Sequence, residues 1–385
     1  MLVGMAAARL LRNGVPLWVI MLMVCFYAFF PLYGLYSVSL WKDIGYSIAF
    51  FWLNILMLDV VSSNGIILAQ RSFHVSLFLA LCCVAMMRHN GLVPAFGSLL
   101  VLLAAYYRTQ WRSILIIIAS LAATIILFKG PIFEMLKVNV SEKNVLKAHL
   151  PIQHIGALLN SDSNITPNDQ VFLAEILPLS YWKEAYDPRS CMPLIFGKDK
   201  NGTPYLKGEF LKNDGNYKKF ILLWAKIALQ NPYPIIQYYL QSTELLWRIK
   251  TWYDPFVIAD EDLMESHLFS GYKPSQRLSE RVGPGGGFLL ALVNNHSTGW
   301  LLNRGAFYFW ISLVFLSLST LRTQKMVVGI IATPLLLQAL TVAAFPLVQD
   351  TRFMFPIILI SPLLTAFFFS ARLTKDRQLP RGQGA

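Results

Sequence analysis

Charge is what this sequence of 385 residues has least of. Asp, Glu, Lys and Arg make up 14% of it, against roughly 25% in soluble globular proteins. Apolar residues fill the gap, at 55% with a mean hydropathy of +0.50. That balance excludes a disordered chain and an ordinary cytosolic enzyme, and it points to a protein dissolved mainly in lipid. Cysteine is scarce too. Cys25, Cys82 and Cys83 lie in apolar runs and Cys191 alone in polar sequence, so no extracytoplasmic disulfide framework is expected. Acidic residues are the rarer sign, 21 against 33 Lys plus Arg, for a formal charge of +12. In a membrane chain such an excess first reports topology, not nucleic acid.

Eight apolar runs qualify, or nearly qualify, as spans of about 20 residues. They are Val15 to Leu35, Ile44 to Val61, Phe73 to Met87, Leu92 to Tyr106, Ser113 to Phe128, Gly305 to Leu321, Met326 to Phe345 and Met354 to Ser370. Arg9 and Arg12 precede the first run as in a secretory signal. The small residues Ala6 to Ala8, however, come before the run, and the run is too long and too aromatic for a signal core, so it reads as a span that stays. The expected fold is an all-α integral membrane protein of about eight transmembrane helices with one large, mainly helical extracytoplasmic insert. Its segments are a five-span bundle at 1–128, an external domain at 129–300, and a three-span bundle with a basic tail at 301–385.

Short-loop cations set the orientation. One side carries Arg9, Arg12, Arg71, Arg108, Arg112, Arg322, Lys325, Arg372, Lys375, Arg377 and Arg381; the other carries Lys42, Arg88, Arg304 and Arg352. The richer side is read as cytoplasmic, which puts both termini inside and the insert outside. The insert is nearly neutral, with 18 basic and 17 acidic residues. The cations therefore flank the membrane, where anionic lipid accounts for them, and no nucleic-acid partner is expected.

Within the insert, Thr166 as N-cap and Pro167 at the first position predict a helix over Asn168 to Leu177. Further helices are expected over Phe220 to Leu229 and Pro234 to Ile249, the latter either packed in the domain or lying on the membrane surface. Arg281 to Gly287 reads as a glycine-rich loop without the context of a phosphate-binding motif. Asp260, Glu261, Asp262 and Glu265, near Asp254 and His267, form an acidic run that is either a solvated helix face or a divalent-cation site. No other cofactor is expected, since His149 and His154 lack zinc spacing. Four Asn-x-Ser/Thr sequons, at Asn139, Asn164, Asn201 and Asn295, would matter only in a eukaryotic secretory pathway.

The outer short loops keep ionisable groups where cations should be scarce. Trp41-Lys42-Asp43, Arg88-His89-Asn90-Gly91 and Gln349-Asp350-Thr351-Arg352, with Arg304 at the outer end of the sixth run, would converge on one rim of a compact bundle. Arginine matches phosphate oxygens in two hydrogen bonds, so a lipid-linked phosphate fits the rim. Arg88, Arg304 and Arg352, with Lys42, His89 and Asn90, are the candidate phosphate contacts. Asp350 or Asp43 is the candidate general base on an acceptor hydroxyl. The plainer reading is that Lys42 with Asp43, and Asp350 with Arg352, are interfacial ion pairs pinning loops, Lys42 snorkelling.

Phe26-Tyr27-Ala28-Phe29-Phe30-Pro31, Ser39-Leu40-Trp41-Lys42-Asp43-Ile44, the Arg88-His89-Asn90-Gly91 turn, Leu150-Pro151-Ile152-Gln153-His154-Ile155 and Asp350-Thr351-Arg352-Phe353-Met354-Phe355-Pro356 resemble a family of bacterial multi-pass proteins with a domain of unknown function. That family is similar to class C glycosyltransferases, which use polyprenyl-phosphate sugars. The resemblance implies a polyprenyl-phosphate sugar donor, a glycan acceptor and a site on the outer face of the bacterial inner membrane. It also shows a departure. Class C enzymes carry their catalytic acid in a long first external loop, whereas Tyr36 to Ile44 is short, so the chain reads as shortened at its N-terminus and Asp43 does not inherit that role directly. The competing readings are an O-antigen or capsule polymerase, a lipid flippase, for which Pro334 is the one mid-span breaker, and a truncated or non-catalytic protein.

Overall fold

The structure is a computed structural model of the whole chain. It describes residues 1–37, 41–138, 147–161, 163–250, 288, 291–293, 295, 297–323, 328–346 and 348–371. The acidic run at Asp260 to Glu265, the glycine-rich loop, Asn139, Lys325 and the basic tail from Arg372 lie outside them. Among the described residues the chain is helical, with no β-strand and only three isolated bridges. It divides into two compact units, one of Met1–Glu134, Leu245–Thr341 and Asp350–Ala385, the other of Met135–Glu244 and Val342–Gln349. The second unit is thus drawn from two stretches of chain, and the short segment before Asp350 belongs to it.

The first unit holds α1 (Leu2–Arg12), α2 (Leu17–Phe29), α3 (Pro31–Ser37), α4 (Lys42–Ser62), α5 (Arg71–Met87), α6 (Leu92–Leu127) and α7 (Phe133–Met135), whose last residue begins the second unit. Three helices are long and apolar enough to cross a membrane, or four if α2 and α3 count as one broken span, and three more apolar helices have 17 residues or fewer. This is fewer than the eight runs suggest, and two runs change shape. The first is broken at Pro31, where the chain bends by 48°, because proline cannot continue the hydrogen-bond ladder of α2. The fourth and fifth are not separated by a basic loop. The backbone stays helical from Leu92 through Arg108 and Arg112, and the break is confined to Tyr106 (φ −121°, ψ 23°). A straight helix would carry Lys129 about 60 Å from His89. Lys129 instead acts electrostatically on that imidazole, so the helix does not run straight past the break at Tyr106.

Gly65 shows how the break at Tyr106 is received. Its φ of +82° is left-handed, and a Cβ there would stand 2.3 Å from the Tyr106 ring. Only glycine meets both conditions. Gly91 serves the other end of α5, where a Cβ would come within 1.9 Å of the Val84 carbonyl oxygen.

α4 is buried nearly all round and carries an ion pair in its first and last turns: Asp43 with Arg88, and Asp59 with Arg9 of α1 at 2.8 Å. Its 21 residues span about 30 Å, the thickness of a bilayer's hydrocarbon core. Against it pack α5 and the last helix of the unit.

In the second unit follow α8 (His149–Leu159), α9 (Pro167–Ile176), α10 (Leu179–Glu184), α11 (Met192–Phe196), α12 (Gly208–Lys212), α13 (Asp214–Gln230) and α14 (Pro232–Ser242). They enclose one core that includes Ile152, Ile155, Leu173, Trp182, Leu211, Phe220 and Ile227. Thr166 caps α9 as the sequence suggests, accepting from the Asp169 amide at 3.3 Å, with Pro167 first in the helix. The expected helix from Pro234 to Ile249 is interrupted at Thr243, and Glu244–Trp247 follows as α15, within which the chain returns to the first unit at Leu245. Back in the first unit lie α16 (Gly299–Leu302), α17 (Gly305–Thr323), α18 (Val328–Ala344), whose last residues enter the second unit, and α19 (Thr351–Phe367).

α19 holds two prolines in its interior, Pro356 and Pro362. Pro362 has no N–H for the Ile358 carbonyl one turn back. The Tyr33 hydroxyl donates to that carbonyl at 3.2 Å, as buried backbone oxygens require. Tyr33 belongs to an aromatic cluster with Phe26, Tyr27, Phe30, Tyr308 and Phe355. The Phe26 to Pro31 stretch is therefore packing around α19.

Candidate functional site

Three helix starts in the first unit bring the outer-loop residues together. α4 opens with Lys42 and Asp43. The turn between α5 and α6 supplies Arg88, and α19 opens at Asp350, Thr351 and Arg352. Asp350 is the N-cap: Oδ1 accepts the Arg352 amide at 2.8 Å, while Oδ2 takes the Arg352 guanidinium. A capping aspartate followed two residues later by arginine neutralises its own charge and satisfies an orphan amide together. Asp350 is fully buried. Burial pushes its carboxyl above the usual carboxylate range, and Arg352 opposes that shift.

Arg88 Nε stands 2.9 Å from Asp43 Oδ1. The contact is ionic without the angle of a hydrogen bond, so Asp43 Oδ1 keeps accepting capacity. The guanidiniums lie on aromatic faces, Arg352 4.3 Å from the Trp41 ring centre and Arg88 4.7 Å from that of Phe353 and 5.5 Å from that of Tyr46. Such stacking holds a guanidinium flat and directs its N–H groups outward from the ring edge. The two pairs are neighbours, since the Asp43 charge acts on both Asp350 and Arg352.

Beside them is Tyr36, whose ring packs on Trp41 and Phe355. Its hydroxyl is buried, within electrostatic reach of Asp43, Asp350 and Arg352, and has no hydrogen-bond partner among the described residues. Beneath the cluster, the Tyr46 hydroxyl donates to Gln338 Oε1 at 2.6 Å, and Gln338 Nε2 donates to the Phe353 carbonyl at 3.0 Å. This chain ties α4, α18 and α19 under the arginines.

The remaining candidates take different places. Lys42 and His89 are exposed, and Lys42 is within reach of His89. Asn90 is half-buried beside them. Lys42 makes no ion pair with Asp43; Arg88 holds that position. Arg304 is buried, and its Nε donates to the Arg248 carbonyl at 2.9 Å. It connects to the cluster through its neighbour Asn303, whose carbonyl accepts from the Thr351 hydroxyl at 3.3 Å. Among the described residues no group of three or more His, Cys, Asp or Glu side chains is placed to hold a metal ion.

Sequence reasoning passed over Tyr36, Tyr46 and Gln338. Gln338 had a readable signal, an amide in the middle of an apolar run four residues after Pro334. Tyr36 had none, because a tyrosine near a span end reads as an interfacial anchor.

A family model matches residues 1–381, almost the whole chain. The chain belongs to DUF6020, a family of unknown function. The match takes in both units and every residue of the cluster. No curated protein and no solved structure proved similar to this DUF6020 chain.

Proposed function

We propose that this DUF6020 protein is a glycosyltransferase-like membrane enzyme that takes a sugar from a polyprenyl-phosphate donor at the outer face of a bacterial inner membrane and passes it to a cell-envelope glycan. In this reading the chain crosses the bilayer eight times. α2 with α3 makes one crossing, α6 makes two on either side of Tyr106, and α5, α18 and α19 cross despite their 17 residues. Both termini are cytoplasmic. Ion pairs at the two ends of α4, about 24 Å apart along the helix, suit a helix whose ends meet the two interfaces.

One observation carries the reading: two arginines, two aspartates and a buried phenol with no hydrogen-bond partner among the described residues meet at the starts of three apolar helices. Arg88 and Arg352 offer N–H groups to a phosphate, and Tyr36 donates a further hydrogen bond. Asp43, with accepting capacity left over, is the base toward the acceptor hydroxyl. Asp350, committed to a helix cap and to Arg352, positions that arginine. Lys42, His89 and Asn90 form the outer fringe, and Arg304 fixes the backbone beside Thr351. No divalent cation is invoked.

A second reading has its own support. Each arginine already faces a carboxylate, as expected if the pairs only pin loops. Binding of a polyprenyl monophosphate to the purified protein in nanodiscs separates the two, with the matching polyprenyl alcohol as control. An enzyme site binds the phosphate in preference, loses it roughly tenfold or more in Arg88→Gln and Arg352→Gln (about 1.4 kcal/mol per tenfold), and fails in transfer but not in binding in Asp43→Asn. Equal binding of alcohol and phosphate, unaltered by either arginine variant, would leave only the pinning role.

A further inference from the structure

The second unit presents on α13 a basic and apolar surface that none of the readings above uses. Along α13, Lys218, Lys219, Leu222, Lys226 and Leu229 fall within about 100° of one another around the helix, opposite the buried Phe220 and Ile227. Leu222 and Leu229 are 62% and 82% exposed. A soluble surface rarely combines so much apolar area with a row of lysines on one helical face. The three lysines line a groove of ≈ 580 Å³ with Asp169 and Phe172 of α9. Lys226 pairs with Asp169 at 3.3 Å, and Lys219 lies 4.4 Å from the Phe172 ring centre. One carboxylate against three lysines leaves the groove positive. The next helix repeats the apolar half: Tyr233, Ile236 and Leu240 of α14 are exposed on one face, opposite buried Tyr238 and Ser242.

We infer that the lysine-leucine face of α13 docks on an anionic phospholipid surface, Lys218, Lys219 and Lys226 taking headgroup phosphates and Leu222 and Leu229 entering the acyl boundary. This rests on the membrane reading of the first unit. Charge complementarity favours lipid, since lysines near an anionic bilayer each add attraction while leucines add burial. The chain also ties this unit covalently to the apolar helices. It leaves the first unit within α7, and its second segment, Val342–Gln349, runs from the end of α18 to the start of α19.

The test uses the full-length protein, one per nanodisc, with Cys25, Cys82, Cys83 and Cys191 replaced by alanine. A nitroxide is placed in turn at positions 222, 229 and 116, the last an exposed isoleucine of α6. Discs of phosphatidylcholine are compared with discs containing one part in three phosphatidylglycerol. The expected result is that collisions with oxygen, relative to a water-soluble nickel chelate, rise several-fold at 222 and 229 in the anionic discs. Lys218→Gln, Lys219→Gln and Lys226→Gln together abolish the rise. A lipid-like label at 116 with water-like labels at 222 and 229 in both discs would overturn the docking alone. A water-like label at 116 would overturn the membrane reading and docking with it. Immersion at 222 and 229 that ignores both phosphatidylglycerol and the triple variant would remove the headgroup role.

Discussion

His154 shows what a buried titratable group does in the second unit. Its Nδ1 accepts from the Trp224 indole at 3.1 Å, which requires that nitrogen to be unprotonated. The ring also touches Tyr238 and Tyr239. Burial, with His149 adding repulsion, lowers its pKa to about 4. The unfolded chain binds a proton near the ordinary value of about 6.5, so stability from this group is complete above that pH and is lost as pH falls toward about 4. The loss reaches about 3 kcal/mol at most, since each tenfold drop in proton affinity is worth roughly 1.4 kcal/mol. Amide exchange of α8 in the full-length protein should quicken over that window, and His154→Phe should flatten the response. An equally steep response in the variant would clear His154 of the effect.

The ion pair of Arg88 and Asp43 is the other single-residue test. Both side chains are largely buried, so removing one partner strands a charge at a cost of about 3 kcal/mol, while removing both restores part of the loss. Thermal unfolding of Arg88→Ala, Asp43→Ala and the double variant in detergent gives the coupling. Strict additivity would mean that the charges do not meet.

Two helices carry predictions of their own. In α19 the Tyr33 hydroxyl fills the hydrogen bond that Pro362 removes from the Ile358 carbonyl. Tyr33→Phe should cost roughly 1–3 kcal/mol, the penalty of a buried unsatisfied carbonyl. Pro362→Ala supplies an amide for that carbonyl, so Tyr33→Phe should be far milder in the Pro362→Ala background. Equal penalties in both backgrounds would detach the tyrosine from the proline. At the turn from α5 to α6, Gly91→Ala drives a methyl into the Val84 carbonyl oxygen. The overpacking should cost about 1–3 kcal/mol and move Arg88 off Asp43. A variant of unchanged stability would show that α5 yields easily there.

For the whole molecule the break at Tyr106 is decisive. If the helical segments on either side of it both cross the bilayer, cysteines at Arg88 and Lys129 share one side, and cysteines at Arg108 and Arg112 share the other with Arg9. Accessibility to a membrane-impermeant thiol reagent in oriented vesicles reads this directly. Labelling of positions 88 and 129 from opposite sides would break both the topology and the charged rim.

Much of this could be read along the chain, because hydropathy and helix signals are local. The helical class, the positions of the apolar helices to within a few residues, and the Thr166-Pro167 start of α9 all follow from neighbours in sequence. The three polar loops could be named as one group because an ionisable side chain at a helix start in apolar sequence is costly wherever it lies. Which charge faces which could not be read. Lys42 stands next to Asp43, yet Arg88 holds it, since pairing depends on where the α5–α6 turn lands on α4. The continuity of α6, the phenol of Tyr36 beside two aspartates, and Gln338 beneath Phe353 likewise join residues up to some three hundred positions apart. Packing distances between helices decide such contacts, and no local pattern encodes them.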